Sequence, residues 1–168
     1  MRYDACMHPI AVVQVLALVT LANSVPVVAK KILGDRFGWP LDFGVELPDR
    51  HRLLGHSKTI RGVVLGVLFS WAGAPLIGLE PGLGAQVGAL AMAGDLLSSF
   101  VKRRLNRPPS SRALGLDQIP ESLLPLLACI DRLSLTASDI AAAVLIFLVG
   151  ELLISRLLFR MHLRDRPY

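Results

Sequence analysis

The sequence predicts an all-α, polytopic integral membrane protein with about five transmembrane helices and polar loops on the cytoplasmic side. Hydrophobic residues make up 53% of the 168 positions, and the mean hydropathy is +0.55, which is more apolar surface than a soluble domain of this size buries. The apolar residues also form separate stretches close to the roughly 20 residues that a helix needs to cross the hydrocarbon core. Charged residues, 18% of the chain, gather between these stretches. We therefore treat residues 1–168 as one membrane-embedded domain.

Five apolar stretches define the predicted spans, at about 10–29, 62–79, 83–101, 113–130 and 138–159. The first has no small-residue cleavage motif, so it is predicted to be a retained span rather than a signal peptide. The fourth is the least regular, because its purely apolar part is short and it contains Asp117, Pro120, Glu121 and Pro125. That composition is also compatible with a broken or half-membrane helix.

Small residues at a spacing of four occur in the second and third spans. Gly62 is followed by Gly66, and Gly84 by Gly88. Such pairs allow two helix backbones to approach closely. We therefore interpret these glycines as helix-packing positions and not as part of a nucleotide-binding loop.

The distribution of Lys and Arg predicts the orientation in the membrane. Sixteen of the 18 basic residues lie in loop 30–61, in loop 102–112 or in the C-terminal tail, and only Arg2 and Arg132 fall on the other side. Cytoplasmic loops carry such an excess of positive charge. The prediction is a multi-pass protein of the cell membrane with its N-terminus outside and its C-terminus in the cytoplasm. Glycine and proline residues in loop 30–61 indicate a structured loop rather than a long helix.

The net charge of +5 and the pI of about 9.8 do not indicate a nucleic-acid-binding protein. Basic runs interleaved with aromatic residues are absent, and the positive-inside bias with contact to anionic headgroups accounts for the charge. The two cysteines, Cys6 and Cys129, form no CxxC motif. Neither a disulfide framework nor a zinc site is expected.

The third span carries an acidic residue well inside its apolar stretch. Asp95, Ser99 and Lys102 are spaced i, i+4 and i+7, so on a helix they share one face. An ionisable residue inside a membrane segment is costly and is usually functional. The structural alternative is an ion pair between Asp95 and a basic residue of another helix.

Asp117 opens the fourth span. A lone aspartate in this position is often a helix N-cap, followed here by Pro120 in the first turn. Together with Asp95, however, it places two carboxylates at the ends of consecutive spans. Two such carboxylates can share a Mg²⁺ ion, which favours one or two carboxylates together with substrate phosphates.

The basic residues before the second span have two interpretations. Lys58 and Arg61 bracket a turn between Gly55 and Gly62. They form either a juxtamembrane patch that faces anionic lipid or a phosphate clamp. In the first span, Asn23 contacts either another helix or a substrate.

Several motifs along the chain are characteristic of one known family. They are Ala22-Asn23-Ser24-Val25-Pro26, Asp42-Phe43-Gly44, Asp49 with Arg52 and Gly55, Lys58-Thr59-Ile60-Arg61-Gly62, Gly94-Asp95 with Ser99, Lys102-Arg103-Arg104-Leu105, and Asp117-Gln118. With these motifs the chain resembles the CDP-archaeol synthase family, related more distantly to CDP-diacylglycerol synthases, over nearly its whole length. It departs from the pattern where His56 and Ile60 replace Asp and Trp, and where Ile119-Pro120-Glu121 replaces Leu-Asp after the Asp-Gln motif.

The resemblance implies a cytidylyltransferase of phospholipid biosynthesis, in which CTP and a membrane lipid phosphate give a CDP-activated lipid and pyrophosphate. The lipid is archaeol-phosphate-like or phosphatidic-acid-like, and Mg²⁺ is the implied cofactor, held by Asp95 and Asp117. The expected catalytic residues are Asp95, Lys102 and Asp117. The expected substrate-binding residues are Asn23, Asp49, Lys58, Thr59, Arg61, Ser99 and Arg103.

Two other classes of function remain open at this point. A small membrane transporter would distribute polar residues across the whole membrane depth, whereas here they cluster at one side. A non-catalytic membrane scaffold would not require an acid, a hydroxyl and a lysine on one face of the third span.

Overall fold

The chain folds into a helical bundle in a computed structural model that describes residues 7–49, 51–108, 111, 113 and 115–160. Its helices are α1 (Pro9–Leu33), α2 (Ile60–Gly73), α3 (Pro81–Arg104), α4 (Gln118–Ala128), α5 (Ile130–Leu133) and α6 (Ala137–Arg160), with a 3₁₀ turn (Ala74–Ile77) after α2. No β-strand occurs in these ranges, although two isolated antiparallel bridges join parts of the first loop. The all-α prediction is confirmed. Five basic residues used in the charge bias, Arg2, Arg50, Arg112, Arg164 and Arg166, lie outside the described ranges.

Three helical segments of the described chain are long and apolar enough to cross a membrane. They are Pro9–Leu33, Ile60–Ile77 and Pro81–Arg104, with mean hydropathies of 2.0, 1.7 and 1.2 over their best windows. They correspond to the first three predicted spans. The total of five crossings stays a prediction.

The fourth predicted span is not one continuous helix, in agreement with the broken-helix alternative predicted for it. Residues 113–130 do not form one helix, because α4 begins only at Gln118, after a turn in which Gly115 has a φ of +80°. A helix of 11 residues is about 16 Å long, roughly half the hydrocarbon thickness. Pro125 interrupts its hydrogen-bond pattern, and Cys129 separates it from α5.

The bundle is organised around α3, which packs against α1, α2 and α4. Glycines make this packing close. A Cβ atom on Gly66 would lie 3.0 Å from both the Ala22 carbonyl oxygen and the Met92 Sδ, and one on Gly88 would lie 2.8 Å from the Ser70 Cβ. The prediction that these glycines are helix-packing positions is confirmed.

The loop between α1 and α2 is ordered by hydrogen bonds, as predicted. Leu41 N donates to the Lys58 carbonyl oxygen at 2.8 Å. Buried Asp42 accepts bonds from the backbone N–H groups of three residues, Gly44, Leu54 and Gly55. Burial alone would raise the pKa of Asp42, but these bonds and the charge of Arg52 hold it below its ordinary value.

The two long terminal helices begin at the same end of the bundle. His8 N donates to Asp139 Oδ1 at 2.9 Å, and this joins the start of α1 to the start of α6. The opposite end of the bundle contains the end of α1, the start of α2, the end of α3 and the loop between α1 and α2.

Candidate functional site

A cavity of about 680 Å³ lies at this opposite end of the bundle. Its walls come from α1, α2, α3, α4, α6 and the loop that precedes α2. Nine of the ten predicted site residues line it: Asn23, Lys58, Thr59, Arg61, Asp95, Ser99, Lys102, Arg103 and Asp117. Segments far apart in sequence therefore meet in one space, although the roles predicted for their side chains remain predictions.

One face of α3 supplies the floor of the cavity. Asp95, Ser99 and Lys102 all line it, as their helical spacing predicts. Ser99 and Lys102 are buried. The helix thus brings an acid, a hydroxyl and an ammonium group to the same cavity.

Asp95 forms an ion pair with a lysine from the loop. Lys58 Nζ lies 2.6 Å from Asp95 Oδ1 and 2.5 Å from Oδ2. The side chains are 22% and 23% exposed, so water reaches both partners. An ion pair was the structural alternative predicted for Asp95, but the partner is a residue of the loop before α2 and not of another helix. Any metal that binds the carboxylate must share or displace Lys58.

Asp117 does not act as a cap for α4. No hydrogen bond joins its side chain to the first turn of that helix. Its Oδ2 instead accepts a bond of 3.0 Å from Ala113 N, and its Oδ1 lies 2.7 Å from Lys102 Nζ. The carboxylate is therefore turned toward α3 and the cavity.

Three other predicted residues combine structural contacts with exposure to the cavity. The Thr59 hydroxyl accepts a bond of 3.2 Å from Gly62 N and caps α2. Arg61 donates to the carbonyls of Gly34 and Arg36, and Arg103 to that of Pro108. In both arginines the buried Nε atom has no partner within the described ranges. Each guanidinium keeps donor capacity for an anion.

Asp49 is the predicted site residue that lies outside the cavity. Its carboxylate pairs with Arg104 Nη1. Arg104 Nη2 also donates to the carbonyl oxygens of His51 at 3.2 Å and Arg52 at 2.7 Å. In this structure Asp49 fastens the loop to the end of α3.

Two acidic side chains at the cavity were not among the predicted site residues. Buried Glu121 accepts a bond of 2.9 Å from Asn23 Nδ2 and lines the same cavity as Asp95. Glu151 on α6 also lines the cavity, and its Oε2 has no partner in the described part of the chain. Glu121 could have been found from sequence, because it follows Asp117 by four residues and shares its helix face.

The carboxylates of the cavity suit a hard divalent cation. No three His, Cys, Asp or Glu side chains of the described residues converge closely enough to hold a metal ion alone. Mg²⁺, however, usually takes one or two carboxylates together with substrate phosphates and water. Asp95 and Asp117 offer carboxylate oxygens of the kind that Mg²⁺ takes, and they line one cavity with several cationic side chains.

Comparisons with known proteins agree on one family. A family model described as CarS-like, CDP-archaeol synthase, matches residues 10–79 and 76–168. The CDP-archaeol synthase of Sulfurisphaera tokodaii is 31% identical over 137 residues, which cover 78% of this chain and 82% of the relative. That of Methanopyrus kandleri is 47% identical over 92 residues, covering 49% and 51%.

A solved structure is also similar in three dimensions. It is described as an intramembrane enzyme for archaeal membrane lipids biosynthesis, and it aligns with a TM-score of 0.71 at 35% sequence identity. The alignment covers 84% of this chain and 90% of that chain. The similarity therefore extends over most of both chains.

Proposed function

The chain belongs to the CDP-archaeol synthase family, and from that premise we propose that it transfers the cytidylyl group of CTP to the phosphate of an archaeol-phosphate-like membrane lipid. The products are a CDP-activated lipid and pyrophosphate. One observation carries the proposal: Asp95, Asp117, Lys58, Lys102 and Arg103 line one cavity at the end of a bundle of membrane-length helices.

The chemistry requires little covalent participation of the protein. An oxygen of the lipid phosphate attacks the α-phosphorus of CTP, and the bond from that phosphorus to the oxygen bridging to the β-phosphate breaks. Pyrophosphate leaves with the bonding electrons. Such a transfer depends on positioning and on neutralisation of the triphosphate charge. Lys58, Lys102 and Arg103 supply positive charge around the reacting groups.

Asp95 and Asp117 are the proposed ligands of a catalytic Mg²⁺ ion, which would neutralise phosphate charge and orient the triphosphate. Lys58 and Lys102 each pair with one of these carboxylates in the structure. When phosphates enter, the two lysines can turn to phosphate oxygens, with which an ammonium group forms a strong charge-assisted bond. The protein thereby keeps its buried charges compensated before and after binding.

A membrane location follows from the nature of the acceptor. Its hydrocarbon chains stay in the bilayer, so only an enzyme embedded there brings the lipid phosphate to a water-soluble nucleotide. The proposed location is the cell membrane, with the cavity on the cytoplasmic side, where CTP is found.

The decisive experiment uses purified protein in liposomes with labelled CTP and Mg²⁺. Archaeol phosphate, phosphatidic acid and a lipid without phosphate are compared as acceptors, with a chelator as the metal control. We expect a labelled CDP-lipid from archaeol phosphate and none from the lipid without phosphate. Absence of product with every lipid phosphate would contradict the proposal and favour a transporter or a scaffold, whereas preference for phosphatidic acid would reassign the acceptor.

A further inference from the structure

One wall of the cavity is formed by a single face of α1. Asn23, Val27 and Lys30 all line it, and their spacing of three or four residues places them along one side of the helix. From the centre of the bundle to its end, this face changes from an amide to an apolar side chain and then to an ammonium group. Lys30 lies one turn from the end of α1.

Lys30 differs from the other cationic side chains of the cavity in its bonding. Lys58 and Lys102 pair with aspartates, and Arg61 and Arg103 donate to backbone carbonyls. Among the described lysines and arginines that line the cavity, Lys30 alone forms neither an ion pair nor a hydrogen bond. Its ammonium group is available for an anion that enters from outside.

An apolar and uncovered part of the α1 surface lies one turn before Lys30. Val27, three residues before Lys30 and on the same side of the helix, is 43% exposed, and Val28 on the adjoining side is 53% exposed. In a helix long enough to span the membrane, such side chains contact lipid hydrocarbon. Val27 belongs to both environments, because it is exposed and also lines the cavity. The cavity therefore meets the bilayer along this part of α1, next to Lys30.

We propose that Lys30 binds the phosphate of the acceptor lipid while the lipid chains lie against the exposed apolar surface of α1. The assignment rests on the proposed function and deepens it, because it separates the lipid phosphate from the triphosphate. The nucleotide arrives from water and is bound by the groups of α3 and the loop. The lipid arrives sideways through the bilayer, and a long lysine side chain at a helix end reaches the depth of lipid phosphates.

Lys31 provides a matched control for Lys30. Both residues are exposed and lie in the last turn of α1, where positive charge is favourable with the helix dipole and with the cytoplasmic leaflet. Lys31 does not line the cavity. If positive charge at this helix end matters only in general, loss of either lysine should have the same effect on lipid binding. If the cavity holds a specific lipid site, only the loss of Lys30 should weaken lipid binding.

The test compares Lys30→Gln, Lys30→Arg and Lys31→Gln in liposomes in which the mole fraction of archaeol phosphate is varied. We expect Lys30→Gln to raise the KM for the lipid phosphate about tenfold or more, as for loss of a bond to a charged group. The KM for CTP should stay within about twofold of wild type, as for a residue that does not touch the nucleotide. Lys30→Arg should retain most of the affinity, and Lys31→Gln should match wild type.

A binding measurement separates this inference from the proposed function. Fluorescent lipid phosphate is titrated into detergent-purified protein without CTP, and CTP binding is measured separately without lipid. Weaker lipid binding by Lys30→Gln with unchanged CTP binding supports the assignment even if turnover is absent. Weaker CTP binding with unchanged lipid binding would overturn it, as would equal effects of Lys30→Gln and Lys31→Gln or no effect of either.

Discussion

At the scale of single residues, Asp95 pairs with a lysine at a cavity that also contains a second acidic side chain. Lys58 contacts both of its carboxylate oxygens, and Glu121 lines the same cavity. Two carboxyl groups and one ammonium group are thus collected there. Loss of charge at Asp95 would leave Lys58 without its partner, so the effect of a substitution depends on whether the carboxylate serves a metal or only the lysine.

We predict that Asp95→Asn and Asp117→Asn each abolish formation of the CDP-lipid while membrane insertion stays intact. Asparagine preserves size and some hydrogen bonding but removes the charge that a hard cation requires. Asp95→Asn should also remove the Mg²⁺ dependence of CTP binding. Turnover is measured with labelled CTP, and CTP binding is measured with and without Mg²⁺.

Asp131→Asn is the control for these substitutions, because Asp131 is exposed and does not line the cavity. It should behave as wild type. A well-folded Asp95→Asn protein with full activity would rule out the metal assignment. Partial activity with a lower melting temperature would identify Asp95 as an ion-pair partner of Lys58 alone.

At the scale of elements, the three basic residues in the last turn of α3 make two different kinds of contact. Lys102 and Arg103 line the cavity. Arg104 instead lies with its guanidinium 5.3 Å from the centre of the Phe100 ring and bonds to Asp49 and the neighbouring loop. Lys58 belongs to the same loop, so we expect the contact between Asp49 and Arg104 to help hold Lys58 near α3.

We predict that Asp49→Ala raises the KM for CTP several-fold with little change in melting temperature, because an exposed ion pair contributes only about 0–1 kcal/mol to folding. The charge swap Asp49→Arg with Arg104→Asp should restore part of the loss. Steady-state kinetics and thermal unfolding provide the two readouts. If the swap restores nothing and Asp49→Ala impairs CTP binding as much as Lys102→Ala, then Asp49 contacts the substrate directly, as expected from the sequence.

Gly94 sets the distance between α3 and α4. A Cβ atom at this position would lie 2.7 Å from the Glu121 Cα and would also meet the carbonyl of Pro120. We predict that Gly94→Ala destabilises the protein by about 1–3 kcal/mol, as overpacking usually does, and lowers activity by displacing Glu121, which lines the cavity. Thermal unfolding and CDP-lipid formation are the measurements.

The matched substitution is Gly82→Ala in the same helix, where a Cβ atom would meet nothing within 4 Å. It should be neutral or slightly stabilising, because alanine has the higher helix propensity. Equal stability of the two variants would show that α3 and α4 can separate without cost.

At the scale of the whole molecule, the two ends of the bundle differ in chemistry. One end joins the starts of α1 and α6 through His8 and Asp139. The other contains the cavity and its cationic side chains. This polarity agrees in direction with the predicted topology, in which sixteen of 18 basic residues are expected on one side of the membrane.

We predict an orientation with the N-terminus outside and the C-terminus in the cytoplasm. Reporter fusions at the C-terminus and within loop 30–61 should both give a cytoplasmic signal, since positively charged segments stay inside. A fusion in the short turn at 78–80 should give the opposite signal. An external signal from either of the first two fusions would separate the cavity from cytoplasmic CTP and reject the orientation.

The sequence by itself determined the properties that depend on local physics. Hydropathy predicted a helical membrane protein, and helical spacing predicted that Asp95, Ser99 and Lys102 share a face, because the register of a helix is fixed by hydrogen bonds between residues four apart. The motifs also identified the family, which the comparisons confirm.

Only the tertiary structure decided which charges meet. The contacts of Lys58 with Asp95 and of Asn23 with Glu121 join positions 37 and 98 residues apart. These contacts depend on where a folded loop and the packed helices place each side chain, which the periodicity of a single helix does not predict. For the same reason only the structure shows that Lys30 lines the cavity and that Asp49 does not. The surfaces packed against a loop or a helix decide which of its faces meets the cavity.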